Sequence, residues 1–103
     1  MAETVFSLKK GLTEILVLRI LSEKEMYGYE IVKTIAERSA EVFSVTEAAL
    51  YTTLYKMEAE ELVVSREVLV GNRRRRRYYT LTDKGREYAG EEIAKYIRMT
   101  DGI

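Results

Sequence analysis

The hydrophobic repeat of this chain changes period at Leu62 and returns to helical spacing after Thr82, and the first of these changes limits the possible folds more than any other feature. Before it, apolar residues return at the spacing of a helix stripe. Leu8, Leu12, Ile15, Leu16 and Ile20 predict a first helix over about residues 8–21. After the polar turn Ser22-Glu23-Lys24-Glu25, Gly28, Ile31, Val32 and Ile35 predict a second over about 27–39. Leu50, Leu54, Met57 and Leu62 predict a third over about 45–60, with Ser44 and Glu47 placed to form a capping box. Beyond Leu62 the run Val63-Val64-Ser65-Arg66-Glu67-Val68-Leu69-Val70 is rich in β-branched residues, and residues 75–81 end in Tyr78-Tyr79-Thr80-Leu81. Gly71-Asn72 between them suits a primed turn, which needs positive φ. Thr82 can cap a last helix to about residue 99, with Ala89, Ile93, Tyr96, Ile97 and Thr100 on one face. There is no proline to break any of these elements.

The expected fold class is therefore mainly α with a small β-hairpin. Three helices, a two-stranded wing and one more helix follow the order of a winged helix-turn-helix. At 103 residues the chain has little room for a second core. It reads as one compact domain, with a DNA-binding part over 1–81 and a C-terminal dimerisation helix over 82–103. The fourth helix has no place in the minimal DNA-reading unit, so its apolar face asks for a partner, most simply a second copy of the chain. Leu8, Leu12, Ala89, Ile93, Tyr96 and Ile97 are the candidate dimer residues.

Charge narrows the function. Lys+Arg 17 and Asp+Glu 17 cancel, yet Arg73, Arg74, Arg75, Arg76 and Arg77 stand together at the hairpin tip. Each guanidinium is a planar fork of donors that matches phosphate and guanine edges. A basic run can instead be a solvated face or a guard against edge-to-edge aggregation. Strand-like residues on both sides argue against a disordered tail, and a basic stripe on an ordered element favours double-stranded DNA as partner. With no His and no Cys, the common general base, the thiolate and the usual zinc ligands are all missing. Glu58, Glu60 and Glu61 read as a solvated helix end. The expectation is a protein that is not an enzyme and has no metal or cofactor. The longest apolar run, Ile15-Leu16-Val17-Leu18, is closed by Glu14 and Arg19, and the N-terminus lacks a signal-peptide pattern, so no membrane contact and a cytoplasmic, nucleoid-associated location are expected.

Three segments resemble the PadR-like transcriptional regulators: Met26-Tyr27-Gly28-Tyr29-Glu30-Ile31, Glu47 to Glu58 with Leu50-Tyr51-Thr52-Thr53-Leu54-Tyr55, and Arg73 to Tyr79 followed by Thr80-Leu81-Thr82-Asp83-Lys84-Gly85. The match runs in order over roughly residues 8–90, and the short tail is similar to the small branch of that family, which has a single C-terminal dimerisation helix. The resemblance implies a dimeric, sequence-specific regulator, a repressor on a palindromic operator. It also implies a cleft at the dimer centre for flat, apolar or cationic effectors, for which Tyr96, with Phe6 or Leu12 from the first helix, is the candidate here. Three positions depart from the family pattern. Thr52 stands where Pro is common, Ala49 where a hydroxyl is frequent, and Glu61 where Gly often ends the third helix, which leaves that end less sharply defined.

On the third helix, Thr46, Ala49, Thr52, Thr53 and Lys56 are assigned to the face opposite the apolar stripe, where hydroxyls, a methyl and an ammonium can meet base edges or phosphates. Tyr51 borders that face and, by the resemblance, lies near the DNA backbone; a ring packed under the wing is the other reading. Tyr27 has the same two readings at a helix N-terminus, itself a favourable phosphate site. In the wing, Tyr79 and Leu81 share the inward parity, which turns Tyr78, Arg74 and Arg76 away. Near the tip both parities reach DNA, so all five arginines are candidates. A winged-helix adaptor or architectural protein, meeting an acidic partner or DNA without sequence preference, is the alternative.

Overall fold

Helical stripes and one alternating segment assemble around a single apolar core. The computed structural model describes residues 2–42 and 44–101, with side chains over 11–42 and 44–98. The elements are α1 (Ala2–Leu21), β1 (Met26–Tyr27), α2 (Gly28–Arg38), α3 (Glu47–Ala59), β2 (Val63–Val70), β3 (Arg74–Leu81) and α4 (Asp83–Asp101). Val17, Leu18 and Leu21 of α1, Ile31 and Ile35 of α2, and Leu50, Leu54 and Met57 of α3 are buried together. Leu62, Val63, Tyr79, Leu81 and Ala89 close the core from the sheet and α4. Among the described residues no helix is long and apolar enough to cross a membrane.

The architecture is the expected one with five corrections. The hairpin loop holds three residues, Gly71-Asn72-Arg73, between paired Val70 and Arg74, with Gly71 at φ 69° and Asn72 not at positive φ, in place of a two-residue primed turn. The sheet has three strands, ordered β1-β3-β2, because Met26 and Tyr27 pair with Tyr79 and Tyr78. Two residues are too few to show a period, so this strand left no trace in the pattern. α1 begins at Ala2 and not near residue 8. The third helix starts two residues later than expected: Thr46, not Ser44, is its N-cap, accepting from the Ala49 N–H at 3.1 Å. Glu47 is thus the first helical residue, where its charge favours the helix dipole, and no Ser44–Glu47 capping box holds that end. Last, the end of α3 is sharply defined despite lacking glycine. Glu61 takes φ 64°, the Leu62 N–H donates to the Met57 carbonyl at 2.9 Å, and the Glu61 N–H to Glu58 at 3.0 Å. These are the two reverse bonds of a Schellman ending, with Leu62 packed over Met57 in the same core.

The start of α4 is fastened to that ending. Thr82 caps the helix by accepting from the Gly85 N–H at 2.9 Å, and its hydroxyl donates to the Glu61 carbonyl at 2.7 Å. Its own N–H reaches the Leu62 carbonyl at 3.0 Å, and Lys84 Nζ reaches that of Glu60 at 2.9 Å. Gly85 allows this approach: a Cβ there would lie 2.9 Å from the Leu62 carbonyl carbon. The wing and α4 therefore leave α3 at fixed angles.

Two outcomes follow. Glu61→Gly should raise stability by about 0.5–1 kcal/mol in denaturant titration, since it relieves a left-handed L-residue and loses some of that gain to a freer unfolded chain. Tyr79 is fully enclosed and, among the described residues, its hydroxyl has no hydrogen-bond partner. Burial, then the charge of Glu58, pushes that hydroxyl up to about 12 from 10.0. Its contribution is thus intact below pH 10 and lost as pH rises toward 12. Tyr79→Phe should leave neutral-pH stability unchanged or higher, within about 1 kcal/mol, and should reduce the alkaline loss between those limits in a pH series of melting curves.

Candidate nucleic-acid interface

Helical phase decides which side of α3 faces outward. With Leu50, Leu54 and Met57 buried, Ala48, Thr52, Tyr55 and Ala59 lie outermost, and all four are exposed. Of the residues expected on this face, Thr46, Ala49, Thr52 and Lys56 are exposed, while Thr53 is half-buried on the flank. Thr46 stands outside the helix as its cap. Lys56 leans toward α1, 3.5 Å from Glu14 and 3.9 Å from Glu60. Ala48 and Tyr55 were missed; the signal was the spacing itself, counted outward from the buried stripe. Thr52 and Thr53 donate their hydroxyls to the Ala48 and Ala49 carbonyls at 3.0 and 3.3 Å. In that state their oxygens present lone pairs, which suit an amino group of adenine or cytosine.

Tyr51 joins α3 to α2. Its ring is half-buried, stacks on Tyr55 with centroids 6.0 Å apart, and packs over Gly28, the first residue of α2. Burial, then Glu47, pushes its hydroxyl above the usual tyrosine value. The ring thus packs on the start of α2, with its hydroxyl beside that helix N-terminus. Tyr27 is the N-cap of α2 but makes no side-chain cap bond; its N–H donates to Glu30 Oε1 at 3.3 Å.

Tyr27 also touches the wing. It meets Tyr78 edge-on at 5.4 Å, and the Arg76 guanidinium lies 4.4 Å above its ring. Arg66 covers Tyr78 at 5.5 Å and bonds Glu25 at 2.8 Å, while Thr80 donates to Glu25 at 3.1 Å. The Arg66 bond, with help from Thr80, holds the Glu25 carboxyl below its usual range. This layer of rings and guanidiniums occupies one face of the sheet, and Tyr29 extends it at 6.5 Å from Tyr27. The other face carries Tyr79, Arg77 and Arg75. There Arg77 Nη2 bonds Glu67 at 2.9 Å and Arg75 Nη1 bonds it at 3.3 Å. The Arg77 bond, then the Arg75 bond, lowers the Glu67 carboxyl. Arg73 lies in the turn and Arg74 opens β3; both are exposed.

The expected dimer residues are scattered. Ala89 is buried in the protomer's own core and so offers a partner no surface, and Ile93 packs against that core. Leu12 and Tyr96 are half-exposed, and Ile97 is 51% exposed. The side chains of Phe6, Leu8 and Thr100 lie outside the described residues.

Three helices, a three-stranded sheet with a basic tip and a trailing helix define a winged helix-turn-helix protein. The model of the "Transcriptional regulator PadR-like family" matches residues 17–91, and the chain belongs to that family. It is similar to the negative transcriptional regulator PadR of Bacillus subtilis, with 28% identity over 87 residues covering 84% of this chain and 48% of that one. The chain thus spans about half the length of that relative. The crystal structure of Bacillus subtilis PadR in complex with operator DNA superposes with a TM-score of 0.72 at 25% identity, covering 78% of this chain and 45% of that chain. A PadR family regulator from Eggerthella lenta superposes with a TM-score of 0.80 at 30% identity, covering 98% of this chain and 86% of its own.

The contact between Tyr51 and Gly28 is testable. A Cβ on Gly28 would stand 2.8 Å from Tyr51 Cζ, so Gly28→Ala should destabilise by about 1–3 kcal/mol through overpacking. Combined with Tyr51→Ala the losses should be less than additive in a double-mutant cycle of thermal unfolding.

Proposed function

We propose that this protein is a sequence-specific DNA-binding transcriptional regulator that represses as a homodimer on a palindromic operator. The observation that carries the reading is the junction at the start of α2. Gly28 lies under Tyr51 of α3, and Tyr27 lies under Arg76 of the wing. A helix N-terminus favours anions, so one phosphate position there would be flanked by a helix able to enter the major groove and a basic wing able to follow the backbone. In this reading Ala48, Ala49, Thr52 and Tyr55 meet base edges and methyls, with Thr46, Thr53 and Lys56 at the rim. Tyr27, Tyr51 and arginines of the run Arg73 to Arg77 hold phosphates. Residues 1–81 do the reading, and the helix beyond 82 supplies the dimer contact, through Ile97 and Tyr96 with Leu12.

A two-fold dimer would set its recognition helices about 34 Å apart, or a multiple of it, and so demand inverted half-sites. Repression is supported by the negative role named for the Bacillus subtilis relative, and would arise where the site overlaps a promoter. A small effector at the dimer centre, near Tyr96, would release it. A cytoplasmic, nucleoid-associated location follows from action on the chromosome.

Sheared genomic DNA retained on the purified protein at near-physiological salt should be enriched in a few promoter fragments sharing an inverted repeat. Uniform recovery, or none, would remove the operator from this account. On a retained fragment, Arg74→Ala should weaken all sequences alike and lower the log–log salt slope by about 0.9. Thr52→Ala should instead change the ranking of sequences.

A further inference from the structure

We infer that Glu67 limits how many wing arginines reach DNA and thereby holds down binding that is blind to sequence. The inference rests on the DNA-binding reading and adds to it a residue of opposite charge. The strand register places Glu67 directly across from Arg77 and diagonal to Arg75. Its two oxygens are divided between the two guanidiniums, Oε1 to Arg77 and Oε2 to Arg75. Arg77 also reaches Ser65 Oγ at 3.4 Å, and Ser65 donates to Glu58 Oε2 at 2.8 Å, so this flank ends in a second carboxylate.

The other arginines of the run Arg73 to Arg77 lack that restraint. Arg76 rests on the ring face of Tyr27 and not on a carboxylate. Among the described residues no carboxylate pairs with Arg73, Arg74 or Arg76. Parity therefore divides the run: Arg74 and Arg76 stand on the Tyr27 side, and Arg75 and Arg77 on the Glu67 side. A phosphate approaching the second pair must displace the carboxylate or sit beside it against its charge. Arg75 and Glu67 are exposed, at 74% and 45%, so water screens the pair and exchange is easy. Phosphate contacts are the whole of non-specific binding and only part of operator binding. An acid that withholds two cations therefore suppresses the former more than the latter.

The test measures binding of the full chain to a short random-sequence duplex across a salt series. Glu67→Gln keeps the shape of the side chain and removes its charge. It should bind this duplex about three- to tenfold tighter at low salt and steepen the log–log slope by about 0.9 to 1.8, one or two added phosphate contacts. Adding Arg75→Gln and Arg77→Gln should abolish the gain. Wild-type binding with Glu67→Gln equal or weaker would overturn the inference alone. No binding by either chain would overturn the DNA reading and this inference with it, whereas binding by Glu67→Gln only would support both. If Glu67→Gln does not fold, Arg75→Gln in the wild-type chain should weaken binding less than Arg74→Gln, and an equal or larger loss would overturn the idea.

Discussion

Tyr79 is enclosed completely in the middle strand, and successive residues of a strand must point to opposite faces. Once that ring is inside, every position back to Arg74 is assigned a side. Arg77 and Arg75 share the face of Tyr79 and meet Glu67. Tyr78 and Arg76 take the opposite face and meet Tyr27. A slip of one residue would exchange the two sets, moving the acid-paired arginines to the α2 side. What looks in the sequence like a uniform block of positive charge is, in the fold, two different surfaces.

The second constraint is close backbone approach. Gly28 lets Tyr51 lie over the start of α2, and Gly85 lets α4 begin against the Leu62 carbonyl. Around Leu62 the end of α3, the start of β2 and the cap of α4 share one set of hydrogen bonds. The wing is therefore oriented by the same residues that end α3. That gives the tip a fixed place relative to α3 without a large core to brace it.

Much of this was legible in the residues because it depends on local order. The stripe Leu50, Leu54, Met57, the cap at Thr82 and the inward turn of Tyr79 and Leu81 each follow from spacing of a few residues, and the structure agrees with all of them. The failures share a cause as well. Ser44-x-x-Glu47 satisfies the capping rule as a pattern, but the chain uses Thr46, two residues on, and local rules cannot rank two eligible caps. On α3, Thr53 is half-buried and not outermost, while Ala48 and Tyr55 stand exposed on the outer face. The strand at Met26–Tyr27 exists only because β3 comes alongside. The Glu67 pairs likewise depend on register, which no helix-range pattern encodes.

The central claim is that the start of α2, the outer face of α3 and the Tyr27 side of the wing form one DNA-binding surface. Amide chemical-shift mapping during titration with a retained promoter duplex tests it directly. The account predicts shifts clustered at Gly28, Tyr29, Ala48, Thr52, Tyr55, Arg74 and Arg76, with Glu87 and Glu91 on the outer side of α4 undisturbed. Shifts centred on α4, or a silent α2 start beside a perturbed Glu67 face, would contradict it.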